Sequence, residues 1–387
     1  PSWRSLYAGF ALAGLGVITK GVGFLPLLSL LPLMLYRRRQ FSPLFTAAAG
    51  DGWRWLTAFG FFLLPIGLWV AAISAVGLNS GNPEHAEYLR NILFKQTAER
   101  YADPWHHKQP FWYFLQTMAF FWLPFSLAWF WLLKPWRQAF ADRDLKTVFP
   151  LLWAILVVLF FTLSAGKRDM YILPALPAFA LAAAPYLHSI SARPGFRRTL
   201  FAFVLVLGSG LLAIGILAAT GKAAFAQKMI EARGLGDEVK WLWVLLIGAG
   251  GLMVAVMLWA RTGRVLQATA FAFVVFWLGY GFIAHPVLDA SSSASAVMIR
   301  ARAEAGPDTQ IGLVAWKEQN LLQARGPVTE FGYRQPAAEQ LADAMAWLKA
   351  EPENRILMVN QVKALDCIDY GGPDTIHLEK SNRRSWW

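Results

Sequence analysis

Runs of about twenty apolar residues recur along this chain, and a soluble core has no room for so many of them. Residues 147–165, 199–220, 241–260 and 265–284 carry no charged side chain. At 1.5 Å per residue each is close to the length needed to cross a hydrocarbon layer roughly 30 Å thick. Nine spans are predicted on this basis, at 3–19, 21–36, 57–78, 111–133, 147–165, 171–190, 199–220, 241–260 and 265–284. The first two share a hairpin at Thr19-Lys20-Gly21. Pro26, Pro65, Pro124 and Pro177 fall inside spans, where neighbouring helices can satisfy the carbonyls that a proline frees. With 56% hydrophobic and 16% charged residues, 19 Trp and 28 Phe, the chain reads as a mostly α, polytopic helical membrane protein.

The net charge of +12 does not indicate a nucleic-acid partner, because the basic residues form small clusters between apolar spans. One set of connecting segments carries fourteen basic residues, among them Arg37 to Arg39, Arg137, Arg197, Arg261 and Arg264, against three acids. The other set carries eleven basic residues against eight acids. The positive-inside rule makes the first set cytoplasmic. The turn at Lys167, the loops 79–110 and 221–240 and the C-terminal tail are then expected to face outward. Cys367 is the single cysteine, so no internal disulfide forms. Pro1 stands first with no leader pattern before the first span, and the chain is expected to lack its original N-terminus.

Ser164 to Pro174 places Lys167 and Arg168 between two apolar runs. A Lys or Arg near the bilayer centre costs about 2.5–3.5 kcal/mol, so such a pair either snorkels to the headgroups or binds something anionic. In the loop 79–110, Asn82-Pro83-Glu84 has the chemistry of a helix start, and Tyr88, Leu89, Ile92 and Leu93 then share one face. This predicts an amphipathic helix lying at the interface. Gln96 and Arg100, one turn apart, lead from it into the polar segment 101–110.

Three stretches, Gln96-Thr97-Ala98-Glu99-Arg100-Tyr101, His107-Lys108-Gln109-Pro110-Phe111-Trp112-Tyr113 and Lys167-Arg168-Asp169-Met170-Tyr171-Ile172-Leu173-Pro174, resemble the bacterial protein-mannosyltransferase-like glycosyltransferases of the GT-C class. Lipid A aminoarabinose transferase belongs to that family. The resemblance covers roughly residues 1–280, and the Lys-x-x-x-Tyr-x-Leu-Pro turn is its most specific part. It implies an inner-membrane enzyme that takes a sugar from a polyprenyl phosphate carrier and gives it to an outward-facing lipid, glycan or protein acceptor. It also implies a catalytic acid in the first outer loop, expected upstream of Pro1. The aminoarabinose branch usually has prolines just before the tyrosine, where Arg168-Asp169-Met170 stand here.

On this reading Arg100, Lys167 and Tyr171 form the carrier-phosphate site: fixed cations and a phenol donor stabilise the charge of a phosphate leaving group. Gln96, His107 and Lys20 are further candidates for substrate binding. The competing function is a transporter or flippase of polyprenyl-linked sugars, which also needs a cationic phosphate site. Among the plainer alternatives, Lys167 and Arg168 anchor a helix end among membrane lipids, Lys20 snorkels, and Phe111-Trp112-Tyr113 is an interfacial aromatic belt. His85, His106 and His107 with Glu84, Glu87 and Asp103 could hold a divalent metal, but no regular ligand spacing supports one, and no cofactor is assigned.

After Ala284 the composition changes. Residues 288–296 are small and serine-rich, and residues 285–387 carry 11 basic and 13 acidic groups. A small soluble C-terminal α/β domain is expected at 285–387, outside the membrane. Its buried strands are predicted at Ile311–Trp316 and Arg355–Asn360 and a helix at 336–350.

Overall fold

The computed structural model describes residues 3–37, 52–79, 89–92, 108–164, 166–332, 335–381 and 383–387. It contains two compact units, Pro1–Thr199 and Leu200–Trp387.

In the first unit, α1 (Trp3–Thr19) packs along α3 (Gly52–Asn79). Gly14 makes this possible: a Cβ there would lie 2.2 Å from the Phe62 carbonyl oxygen. In lipid no hydrophobic driving force separates helix from solvent, so close backbone approach through small residues supplies the dispersion contact instead. The expected span at 21–36 is broken. A turn after Lys20 leads into a 3₁₀ segment, Leu25–Ser29, with Pro26 in its first turn, and then into α2 (Leu30–Arg37).

The expected span at 111–133 is also not straight. It divides into α4 (Tyr113–Phe121) and, after a 3₁₀ turn at Phe125–Ala128, α5 (Trp129–Asp142). The two parts are bent by 100°. Pro124 at the break lacks an N–H and cannot continue the ladder, and the Ser126 hydroxyl donates to the Ala119 carbonyl at 2.8 Å in its place. The bend is packed by Trp122, whose ring centroid lies 5.4 Å from that of Phe179.

Helix α6 (Leu145–Leu163) starts on Asp144, whose carboxylate accepts from the Lys146 amide and the Thr147 hydroxyl. After the turn that follows it, the predicted span 171–190 runs as α7 (Ala175–Ala183), a 3₁₀ turn at Ala184–Tyr186 and α8 (Leu187–Ser191). The Trp136 indole donates to the Ala182 carbonyl at 3.0 Å. Helix α9 (Pro194–Ala219) carries the chain from the first unit into the second.

In the second unit α10 (Ala224–Arg233), α11 (Lys240–Ala260) and α12 (Val265–Gly279) follow. Gly208 and Gly250 bring α9 and α11 together; a Cβ on Gly250 would lie 2.4 Å from the Leu212 amide. Helix α12 does not stop at 284. It continues through a π-turn, Tyr280–Ala284, into α13 (His285–Ser292), so the serine-rich stretch is helical until Ser292. Ala218, Ala226, Leu235, Val239, Leu242, Trp243 and Ala284 form one buried cluster that joins the ends of α9 and α12 to α10 and the start of α11.

Among the described residues, five helical stretches are long and apolar enough to cross a membrane: Gly52–Gly77, Leu145–Leu163, Pro194–Ala219, Asp237–Ala260 and Val265–Asp289. The bent pair α4–α5 makes a sixth if it is one span. Among the described residues, the nine predicted spans correspond to five continuous ones, one bent pair and shorter or interrupted helices. The chain is an integral membrane protein.

Beyond Ser293, α14 (Ser295–Ala305) precedes a three-stranded parallel sheet of order β2-β1-β3, with β1 Gln310–Val314, β2 Val328–Glu330 and β3 Arg355–Val359. Period-two alternation divides the packing. Ile311 and Leu313 face Val297, Met298 and Trp386, whereas Val314 packs with Ala344 of α16 (Ala337–Ala350). The short α15 (Glu318–Leu322) joins β1 to β2. A hairpin of β4 (Glu379–Ser381) and β5 (Arg384–Trp386) completes the α/β portion. Arg302 is its polar hub. It donates to the carbonyls of Arg325, Gly306, Thr309 and Pro327, the last at 2.7 Å. Gly326, at φ +85°, lets that loop close on the guanidinium.

This portion is tied to the helices of its own unit by Lys380, which donates to the Glu231 carbonyl at 2.8 Å, and by Ser381, which donates to the Ser293 carbonyl at 2.7 Å. Between the helices themselves, Arg233 donates to the Ser292 hydroxyl at 3.1 Å.

Candidate functional site

The turn from Ser164 to Pro174 is built by two helices and a distant strand-like segment. α6 ends at Ser164 in extended backbone, and the Ser164 hydroxyl donates to the Gly166 carbonyl at 3.3 Å. Gly166 forms an isolated antiparallel bridge with Lys108. Arg168 is extended, Asp169–Ile172 makes one 3₁₀ turn, and Pro174 stands before α7. Ile172 and Ala175 are fully buried and hold the turn from below. The Tyr171 ring lies 5.3 Å from that of Phe161 in the last turn of α6.

This packing drives Lys167 inward. The residue is only 4% exposed, and its ammonium donates to the Gln109 carbonyl at 3.2 Å. A buried ammonium costs several kcal/mol in desolvation unless an opposite charge compensates it. Among the described residues no carboxylate forms an ion pair with Lys167. One neutral carbonyl leaves most of its donor capacity and all of its charge for a ligand. Arg168 and Asp169 are exposed, and the Asp169 carboxylate accepts from the Met170 amide. The two neighbouring cations therefore differ: Lys167 is internal and Arg168 is at the surface.

Lys20 is exposed in the turn after α1, where its amide donates to the Gly16 carbonyl. That turn is tied to α6, since Phe24 packs on Phe160 at 5.4 Å and the Trp153 indole donates to the Leu25 carbonyl at 3.0 Å. Arg100, Gln96 and His107 lie outside the described residues, as do His85, His106, Glu84, Glu87 and Asp103 of the suggested metal cluster. Of the expected interfacial helix only residues 89–92 are described, and they are helical. Among the described residues no group of His, Cys, Asp and Glu could hold a metal. Sequence reasoning missed the segment Lys108–Gln109, whose backbone pairs with Gly166 and accepts from Lys167. Its only signal was membership in the His107–Tyr113 stretch.

No family model matches the chain. The undecaprenyl phosphate-alpha-4-amino-4-deoxy-L-arabinose arabinosyl transferase of Pseudomonas aeruginosa is 30% identical over 270 residues, which are 68% of this chain and 43% of that protein. The protein of the same description from Photorhabdus laumondii is 25% identical over 285 residues, 69% of this chain and 45% of its own length. The chain spans less than half the length of these relatives. Two crystal structures of ArnT from Cupriavidus metallidurans, bound to undecaprenyl phosphate and in the apo state, superpose on the whole chain and on 70% and 69% of their own. Their TM-scores are 0.58 and 0.57 at 19% and 17% identity. By sequence this chain is similar to the aminoarabinosyl transferases over about two thirds of its length, and its fold is that of the ArnT structures.

Proposed function

We propose that the protein acts in a bacterial inner membrane as a glycosyltransferase that moves a sugar from a polyprenyl phosphate carrier to an outward-facing acceptor. The observation that carries this is the Lys167 ammonium, internal and uncompensated by any described carboxylate. As the bond between the sugar and the carrier phosphate breaks, negative charge grows on the phosphate oxygens. A fixed cation already stripped of water stabilises that charge more than a solvated one does. Tyr171 supplies a phenol donor from the same turn, Arg100 a second cation, and Gln96, His107 and Lys20 polar contacts to the sugar. The α/β portion lies on the outer side, where it positions the acceptor.

Protein reconstituted in vesicles and given a labelled polyprenyl phosphate-linked sugar is expected to release polyprenyl phosphate in the presence of an envelope acceptor. Movement of the intact label across the bilayer without cleavage would instead select a transporter. The orientation is tested separately through Cys367, which is exposed. A membrane-impermeant maleimide should label it from outside intact cells, and a Cys367→Ser variant should not react. Labelling only after the inner face is opened would invert the assignment.

A further inference from the structure

The α11–α12 hairpin carries a second basic feature, unrelated to the Lys167 turn. Between Val239 and Leu288 the sequence has no Asp or Glu, yet the hairpin holds Arg261 and Arg264, both exposed. Among the described residues no carboxylate pairs with either. Beside Arg264 lies a half-open groove of about 540 Å³ lined by Val256, Trp259, Arg264, Gln267, Ala268 and Phe271. Its floor is Ala268, 4% exposed, and its walls are Trp259 and Phe271, 72% and 53% exposed. The Arg264 guanidinium sits 5.6 Å over the Trp259 ring, which fixes the charge at the cavity mouth.

This is a polar mouth on an apolar groove at the end of two spans. α11 has 21 residues, so at 1.5 Å per residue the groove lies roughly 30 Å from the Lys240 end, where α10 packs. An exposed indole beside arginines is the chemistry of the headgroup level, and basic pockets between helices on the positive side of a membrane protein recognise anionic headgroups. We propose that this groove holds an anionic glycerophospholipid, its phosphate on Arg264 with Arg261 nearby and one acyl chain along Val256, Ala268 and Phe271. The occupant is assigned by charge complementarity: two arginines in an acid-free hairpin favour a headgroup with net negative charge over a zwitterionic one.

The test uses the whole chain in detergent micelles with dioleoylphosphatidylglycerol or dioleoylphosphatidylcholine, read by native mass spectrometry. A diazirine-bearing phosphatidylglycerol is crosslinked in parallel and its attachment mapped by peptide sequencing. Phosphatidylglycerol should be retained in preference, with crosslinks concentrated in 256–271. Arg264→Gln should weaken phosphatidylglycerol about fivefold, as expected for one basic side chain near an anionic surface. Phosphatidylcholine should be unchanged, and Arg264→Lys should keep most of the preference. Equal retention of the two lipids, an unaltered preference in a folded Arg264→Gln, or crosslinks away from the hairpin would overturn the proposal. Displacement of phosphatidylglycerol by an equal concentration of polyprenyl phosphate would overturn it too, by assigning the groove to the carrier. If Arg264→Gln does not fold, the lipid preference and crosslink map of the unsubstituted protein still decide.

Discussion

Lys167 is buried and Arg302 half-buried, neither is neutralised by a described carboxylate, and their partners differ. Arg302 gives its guanidinium donors to four backbone carbonyls around two loops of the α/β portion. Lys167 has one carbonyl, that of Gln109. A cation with four of its donors on backbone carbonyls is a structural element, whereas one left with spare donors and spare charge is poised for an anion. Both are cations, and they differ in hydrogen-bond supply as well as in burial, Lys167 being buried and Arg302 half-buried.

Substitution can break this comparison. Arg302→Ala strands several loop carbonyls at once, and because hydrogen bonds to charged groups contribute about 1.5–3 kcal/mol each without adding fully, unfolding should ease by about 2–4 kcal/mol. Denaturant titration followed by the near-ultraviolet signal of the α/β portion checks it. A loss below about 0.5 kcal/mol would mean that water replaces the guanidinium freely.

Lys167→Met should behave in the opposite way. Turnover should fall about tenfold to a hundredfold, the range of one charge-assisted hydrogen bond of roughly 1.5–3 kcal/mol. Thermal stability should hold or rise, because replacing an uncompensated internal charge by an apolar chain of similar length removes a desolvation cost. A large fall in melting temperature would make Lys167 a second Arg302.

Within the turn the effects should be smaller. Tyr171→Phe keeps the ring on Phe161 and removes one donor, an expected loss of about 1 kcal/mol in transition-state stabilisation. Arg168→Ala removes a solvent-facing charge and should change turnover less than twofold. Parallel steady-state kinetics on the two variants decide, and a larger loss for Arg168→Ala would reverse the assignment of the two neighbouring cations.

The smallest expected effect is on pH dependence in the α/β portion. Burial, then the charges of Cys367 and Asp366, raise the Tyr370 phenol above its ordinary value of 10.0. The folded state therefore holds this proton more tightly than the unfolded chain does, and stability should be flat below about pH 10 and decline as pH rises beyond it. Tyr370→Phe should remove that alkaline slope in denaturant titrations and leave neutral-pH stability nearly unchanged.

Much of this architecture was legible in the sequence because it rests on local pattern. The uncharged runs at 147–165, 199–220 and 241–260 became α6, α9 and α11, and the strands around Ile311 and Arg355 and the helix after Pro336 appear where their hydrophobic pattern places them. What escaped depends on partners far along the chain. A proline inside a span is compatible with a gentle kink or a sharp bend, and the 100° outcome at Pro124 rests on Ser126 reaching Ala119 and on Trp122 packing against Phe179. The continuation of α12 past Ala284 was hidden by serines that usually mark loops but here cap a helix end, with Ser293 donating to Asp289. For the site, residue identity singled out Lys167 and Tyr171. It did not reveal that Lys167 is internal, because its carbonyl partner is 58 residues away.

The most direct test compares binding of a polyprenyl phosphate with that of the uncharged polyprenol, by isothermal titration to the protein and to its Lys167→Met variant in nanodiscs. The unsubstituted protein should bind the phosphate more tightly, and Lys167→Met should weaken the phosphate about tenfold or more while leaving the alcohol unchanged. Equal loss of both ligands, or no loss of either in a folded variant, would contradict the assignment of Lys167 as the carrier-phosphate cation.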